Sequence, residues 1–224
     1  MKAQATIVAA GGRCTTLRST PPFALRDTPE GLHLVGSAAG PVGGDELTLD
    51  VKVIDGSLTV RSVAAQLVYP GPQGVPSTMT VRADVNGSLR WLPCPTVLVD
   101  GADHRVTTTI TLVAGASVVW CDIVVLGRHG EASGSVHQRL RVDRGGRPLL
   151  RTDVHLGPGH EVETGGARVV GTALVVGAPV APLPDDVRGA VHRLGDDAYL
   201  VSVLADTVEP LQRALTPTHE EVRT

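Results

Sequence analysis

Aromatic side chains are almost missing from this 224-residue chain, at 2% of positions. Trp91, Trp120, Tyr69, Tyr199 and Phe23 are the whole set. So few rings argue against base-stacking or sugar-stacking platforms and against a deep aromatic-lined ligand pocket. Lysine is nearly absent too: Lys2 and Lys52 stand alone, and the remaining cations are scattered arginines. With a net charge of -3 and a pI near 6.2 there is no basic field to attract nucleic acid. The three cysteines, Cys14, Cys94 and Cys121, form no CxxC pair, so the sequence indicates neither a disulfide framework nor a structural zinc site and fits a reducing compartment. Long apolar runs are lacking as well. The stretch Ala5 to Ala10 ends at Gly11-Gly12, too short for a secretory core or a bilayer span, so no membrane association and a cytoplasmic location are expected. No phosphate loop, GxSxG elbow, HExxH helix or strand followed by GxGxxG occurs.

What the chain does contain is period-two alternation. Leu47-Thr48-Leu49-Asp50-Val51-Lys52-Val53 puts apolar residues on one side and polar ones on the other, as a half-buried strand requires. Similar segments follow from Leu32 to Val35 and then, with short interruptions, from Ser57 to Val176 and from Ala198 to Leu204. Asp55-Gly56 and Asn86-Gly87 have the composition of type I′ hairpin turns and predict antiparallel neighbours. Two short helices are expected late in the chain: one from Pro184 to Leu194 with Val187, Val191 and Leu194 on one face, and one entered through the capping box Asp206-Thr207-Val208-Glu209. The segments 69–76 and 157–166 read as loops. The alternation and the two late helical patterns predict an all-β, mainly antiparallel fold with two short C-terminal helices, in a single domain over residues 1–215 followed by a flexible tail at 216–224.

One acid stands out. In Val118-Val119-Trp120-Cys121-Asp122-Ile123-Val124-Val125-Leu126 both parities are apolar, so the strand is expected to be covered on both faces. An ionised carboxylate there costs several kcal/mol unless it is paired or binds a cation. Asp122 needs a partner: a guanidinium from Arg128, Arg139 or Arg141, or a metal ion. Asp45 closes the glycine-rich turn Gly40-Pro41-Val42-Gly43-Gly44 and could instead satisfy loop amides. Each of the eight histidines, read alone, is a surface or structural residue, and Cys94 reads as an inert thiol.

In order along the chain, several pieces resemble one family. They are Gly43-Gly44-Asp45, Ser62-Val63-Ala64-Ala65, Leu92-Pro93-Cys94-Pro95-Thr96, Gly101-Ala102-Asp103-His104, and Asp122-Ile123 followed by Gly127-Arg128 and Gly130-Glu131. Arg139-Leu140-Arg141-Val142, Gly146-Arg147-Pro148-Leu149-Leu150 and Arg193-Leu194-Gly195-Asp196-Asp197 continue the series. The chain resembles the urease accessory protein UreD family, called UreH in some organisms. Many members have Thr-Gln-Ala-Ala-Thr-Lys where this chain has Ser62-Val63-Ala64-Ala65-Gln66-Leu67, so no family role carries over to Val63 or Leu67.

The resemblance implies a noncatalytic scaffold with β-helix-like layered sheets and two helices that binds UreF, recruits the GTPase UreG through it, docks on urease apoprotein and passes Ni²⁺ to the urease active site without holding it tightly. A passage for Ni²⁺ needs weak, successive oxygen and nitrogen ligands, because a complete cage would trap the ion. On that basis Asp45, Asp122 and Glu131 are expected to line a polar passage, with Asp103 and His104 at its mouth; for Glu131 the alternative is a solvated loop acid. The competing reading is a β-sandwich or cupin-like metal-dependent enzyme using His104, Asp122, Glu131 and His137.

Overall fold

The alternating segments stack as successive coils of two facing sheets in a computed structural model that describes residues 1–215. The expected tail at 216–224 lies outside the described residues. The strands are β1 (Lys2–Ala10), β2 (Arg13–Ser19), β3 (Phe23–Thr28), β4 (Gly31–Gly36), β5 (Glu46–Val53), β6 (Ser57–Ser62), β7 (Gln66–Val68), β8 (Ser77–Val85) and β9 (Ser88–Leu92). They continue as β10 (Thr96–Leu98), β11 (Asp103–Leu112), β12 (Ser117–Leu126), β13 (Ser135–Arg144), β14 (Arg147–Leu156), β15 (Val169–Val176), β16 (Arg188–Arg193) and β17 (Ala198–Ala205). Two short helices join them, α1 (Glu161–Thr164) and α2 (Val208–Leu215).

A seven-stranded sheet runs in the order β14-β13-β11-β8-β5-β1-β2. A ten-stranded sheet runs β16-β17-β15-β12-β9-β6-β4-β3, with β10 and β7 attached beside β12. The chain crosses from one sheet to the other at almost every turn in its middle portion, so β5, β8, β11 and β13 stack in parallel in one wall while β6, β9 and β12 stack in parallel in the other. This is the all-β architecture that the alternation implied, in the layered, β-helix-like form that the resemblance implied.

The antiparallel emphasis needs correction. Asp55-Gly56 does not fold β6 back on β5; it is a corner that carries the chain to the facing sheet, and Asn86-Gly87 does the same between β8 and β9. Successive corners stack, Ser88 N–H donating to the Gly56 carbonyl at 2.9 Å and Ser117 N–H to the Gly87 carbonyl at 2.9 Å. Gly56 has the positive φ of +67° such a turn uses. A turn's composition sets local dihedrals; which sheet the next strand joins depends on burying the apolar faces of both walls against each other. Antiparallel pairs are confined to the flanks, including β1 with β2, β3 with β4, β13 with β14, and β15 with its neighbours β12 and β17.

The capping box does lead into α2, whose Leu211 and Leu215 press on the bare backbone of Gly171. The other expected helix is not at 184–194. Residues 188–193 form the edge strand β16 on β17, where the sheet offers main-chain partners and Gly189 disfavours a helix. The second short helix is instead α1, inside a segment expected to be a loop.

Candidate functional site

Strand β12 is covered on both faces, as its composition demanded. Val119, Cys121 and Ile123 point to the cluster beneath α2 with Leu211 and Leu215. On the other parity, Val118 and Trp120 belong to the main core between the sheets, and Val124 belongs to a second interior cluster with Leu98 and Val136. Asp122 falls at the seam between those two clusters. No guanidinium from Arg128, Arg139 or Arg141 reaches it: Arg128 is held by Glu131 and Arg139 by Asp153. Its partner is the neighbouring indole, Trp120 Nε1–H donating to Asp122 Oδ2 at 2.9 Å. Desolvation outweighs that bond and pushes the Asp122 carboxyl up to about 6.

The seam is open. A cavity of about 330 Å³ lies between the sheets there. One wall is a rung of the seven-stranded sheet in which parallel register aligns Leu47, Met79, Val106 and Gln138. The opposite wall carries Trp91, Trp120 and Asp122, and Tyr69 and Cys94 contribute from the loops. His104 also faces this space, is 1% exposed, and hydrogen bonds through Nδ1 to Ser77 Oγ at 2.8 Å. Burial holds its imidazole down to about 4, so it is neutral at physiological pH with a ring nitrogen able to ligate a metal.

Chemically, the cavity is an apolar chamber with one acid of raised pKa, one neutral imidazole, a thiol and a few amide and hydroxyl groups. It offers oxygen and nitrogen ligands singly rather than as a cage. That suits transient contact with a borderline divalent cation better than tight binding.

The match of the whole chain to known proteins decides the family. The sequence model described as UreD urease accessory protein matches residues 2–224. The chain belongs to the UreD family. It is 41% identical over 213 residues to the urease accessory protein UreD of Frankia alni, covering 83% of this chain and 72% of that one. It is 34% identical over 223 residues to urease accessory protein UreD 3 of Streptomyces griseus, covering 90% and 87% of the two chains. It is also 33% identical over 239 residues to UreD of Streptomyces coelicolor, covering 96% and 94%. UreD proteins are noncatalytic helpers of urease, not enzymes.

In this UreD chain the residues singled out from sequence separate into two groups. Asp122 and His104 share the cavity. Asp45, although 7% exposed, is engaged in its own loop, its Oδ2 accepting from Val42 N–H at 2.9 Å and its Oδ1 from the Met1 amino group at 2.7 Å, just behind the rim residues Gly40 and Pro41. Glu131 forms a two-point ion pair with Arg128, Nε at 2.7 Å and Nη2 at 2.8 Å, in the surface loop after β12; that contact brings its carboxyl down to about 2. Asp103 faces the outer side of β11 with Arg105. The four residues of the enzyme reading do not converge. Register pairs His104 with Val136, so His137 sits beside Arg105 and faces the opposite side of the sheet from His104.

Tyr69, Cys94, Thr108 and Gln138 line the cavity without having been assigned to a passage. For Gln138 a signal existed: it is the polar member of the inward parity of β13, between the buried Val136 and Val142.

No helix of the described residues is long and apolar enough to cross a membrane.

Proposed function

We propose that this chain is a cytoplasmic scaffold for urease maturation that binds UreF and, through it, the GTPase UreG on urease apoprotein, and that Ni²⁺ travels through the cavity between its sheets toward the urease active site. The observation that supports the passage is the meeting of Asp122 and His104 in one chamber walled by apolar rungs. An acid whose pKa is raised to about 6 exchanges its proton for a metal ion readily near neutral pH, and a neutral imidazole adds a second stopping point. Two isolated ligands bind weakly enough to release what they accept. Asp45 stands next to the rim, where it orders the loop; Glu131 and Asp103 have no place in the path.

The test is coexpression with urease, UreF and UreG. The wild-type chain is expected to retain UreF in a pull-down, and UreG only when UreF is present; failure to retain either overturns the scaffold role. Asp122→Asn is expected to retain both partners while the nickel content of urease falls several-fold. Full nickel loading by that variant removes Asp122 from the path.

A further inference from the structure

On the outer face of the β13–β14 pair, away from the cavity, we propose a second metal site: His137, His155 and Asp153 bind one divalent transition-metal ion. Antiparallel register puts His137 directly opposite His155 and puts Asp153 opposite Arg139, so the three side chains project from the same face of the ribbon. The two imidazole rings stack with centroids 3.8 Å apart. Asp153 Oδ1 lies between them, hydrogen bonded to His137 Nε2 and 3.6 Å from His155 Nε2. One ligand atom from each residue lies within 4.8 Å of the other two.

Ligands around a four-coordinate ion with bonds of about 2.0–2.2 Å stand roughly 3.3–3.6 Å apart, so rotation of side chains is enough to close the set. Asp153 and His155 are exposed on the edge strand β14, which leaves room for that rotation. Arg139 Nε donates to Asp153 Oδ2 at 2.9 Å, which orients the carboxylate and leaves Oδ1 to the metal. His160, its ring 5.4 Å from that of His155, is within reach as a third imidazole, and its Nδ1 is held by Glu163 at 3.1 Å.

The donor set selects the metal class. Two imidazole nitrogens and a carboxylate oxygen suit Ni²⁺, Co²⁺, Zn²⁺ or Cu²⁺ and not Mg²⁺ or Ca²⁺. Two cations border the site. Arg139 is spent on Asp153, and Arg105, beside His137, faces Asp103 at 3.8 Å. Because Val136 and Gln138 point inward while His137 points outward, the thickness of the sheet separates this site from the cavity, and its existence does not depend on the proposed passage.

Titrating the purified full-length chain with Co²⁺, followed by visible absorption, and with Ni²⁺, followed by calorimetry, tests the site. Wild type is expected to bind one equivalent that is lost in His155→Ala and weakened about tenfold or more in Asp153→Asn. Asp122→Asn is expected to keep that equivalent. Asp153 and His155 are exposed, so circular dichroism melts of the Asp153→Asn and His155→Ala variants should match wild type. Absence of binding by wild type overturns the site, as does binding that survives His155→Ala unchanged or disappears in Asp122→Asn alone.

Discussion

Trp120 and Asp122, two residues apart on β12, face the cavity together, and the indole Nε1–H donates to the carboxylate at 2.9 Å while the ring stacks on Trp91 at a centroid distance of 4.6 Å and an angle of 7°. One side chain therefore does two things: it fills the core and holds the acid set among those apolar rungs. The bond favours the ionised carboxylate and opposes its desolvation.

Trp120→Phe keeps a ring against Trp91 but removes the donor. A hydrogen bond to a charged group contributes about 1.5–3 kcal/mol, and here only while Asp122 is ionised. Denaturant unfolding should show a larger loss of stability at pH 8 than at pH 4.5, and the midpoint of the cavity carboxyl should move above 6 when followed by the fluorescence of Trp91. Equal losses at both pH values would mean that the indole acts by packing alone.

Asp122→Asn should stabilise the protein at high pH. The folded carboxyl titrates at about 6 against an ordinary 3.8, so the folded state holds a proton that the unfolded chain releases, and stability falls as pH rises through that window. At full ionisation the gap corresponds to at most about 3 kcal/mol, which the variant recovers above pH 6 and does not recover below pH 4. His104 has the opposite slope: titrating at about 4 instead of 6.5, it loses stability as pH falls through that range. In the wild type the two slopes offset between about pH 4 and 6. In Asp122→Asn the acid-side loss is unmasked, and unfolding curves across that interval should steepen relative to wild type.

Gly87→Ala should destabilise by about 2 kcal/mol or more. A Cβ there would stand 2.3 Å from the Gly56 carbonyl oxygen, and stacked corners leave no flexible side chain to give way. Gly115→Ala, at φ +86° with nothing within 4 Å of the added carbon, should cost only the backbone strain of about 1–2 kcal/mol. Thermal melts of the two variants order the effects, and a reversed order would contradict contact between successive corners.

Cys121 should resist alkylation at pH 8. Burial pushes its thiol up to about 12, the nearby Asp122 carboxylate adds to the shift, and Sγ–H donates to the Leu215 carbonyl under α2 at 3.2 Å. Cys14, raised to about 11 by burial and Asp27, should react slowly as well. Leu211→Ala, which loosens α2, should speed labelling of Cys121 at least tenfold by mass spectrometry. An unchanged rate would show that the helix is not the cover.

Much of this molecule was written in local pattern. Alternation marks most of the strands, the double-sided apolar run of β12 requires that both its faces be covered, and the incompatibility of an ionised acid with that run singles out Asp122 from the sequence alone. The capping box placed α2, since a helix start is a short-range matter of backbone N–H groups and the side chains next to them. Tertiary structure alone decided that Asp55-Gly56 and Asn86-Gly87 are corners between sheets, that residues 188–193 complete a sheet edge, and that His104 joins Asp122 while Glu131, Asp103 and His137 turn elsewhere. It alone brought Asp153 and His155 to His137 across an antiparallel register. The division has one physical cause. A period of two tells which residues share a face, but strand neighbours are set by long-range burial and main-chain pairing, and those carry no mark in the residues on either side of a turn.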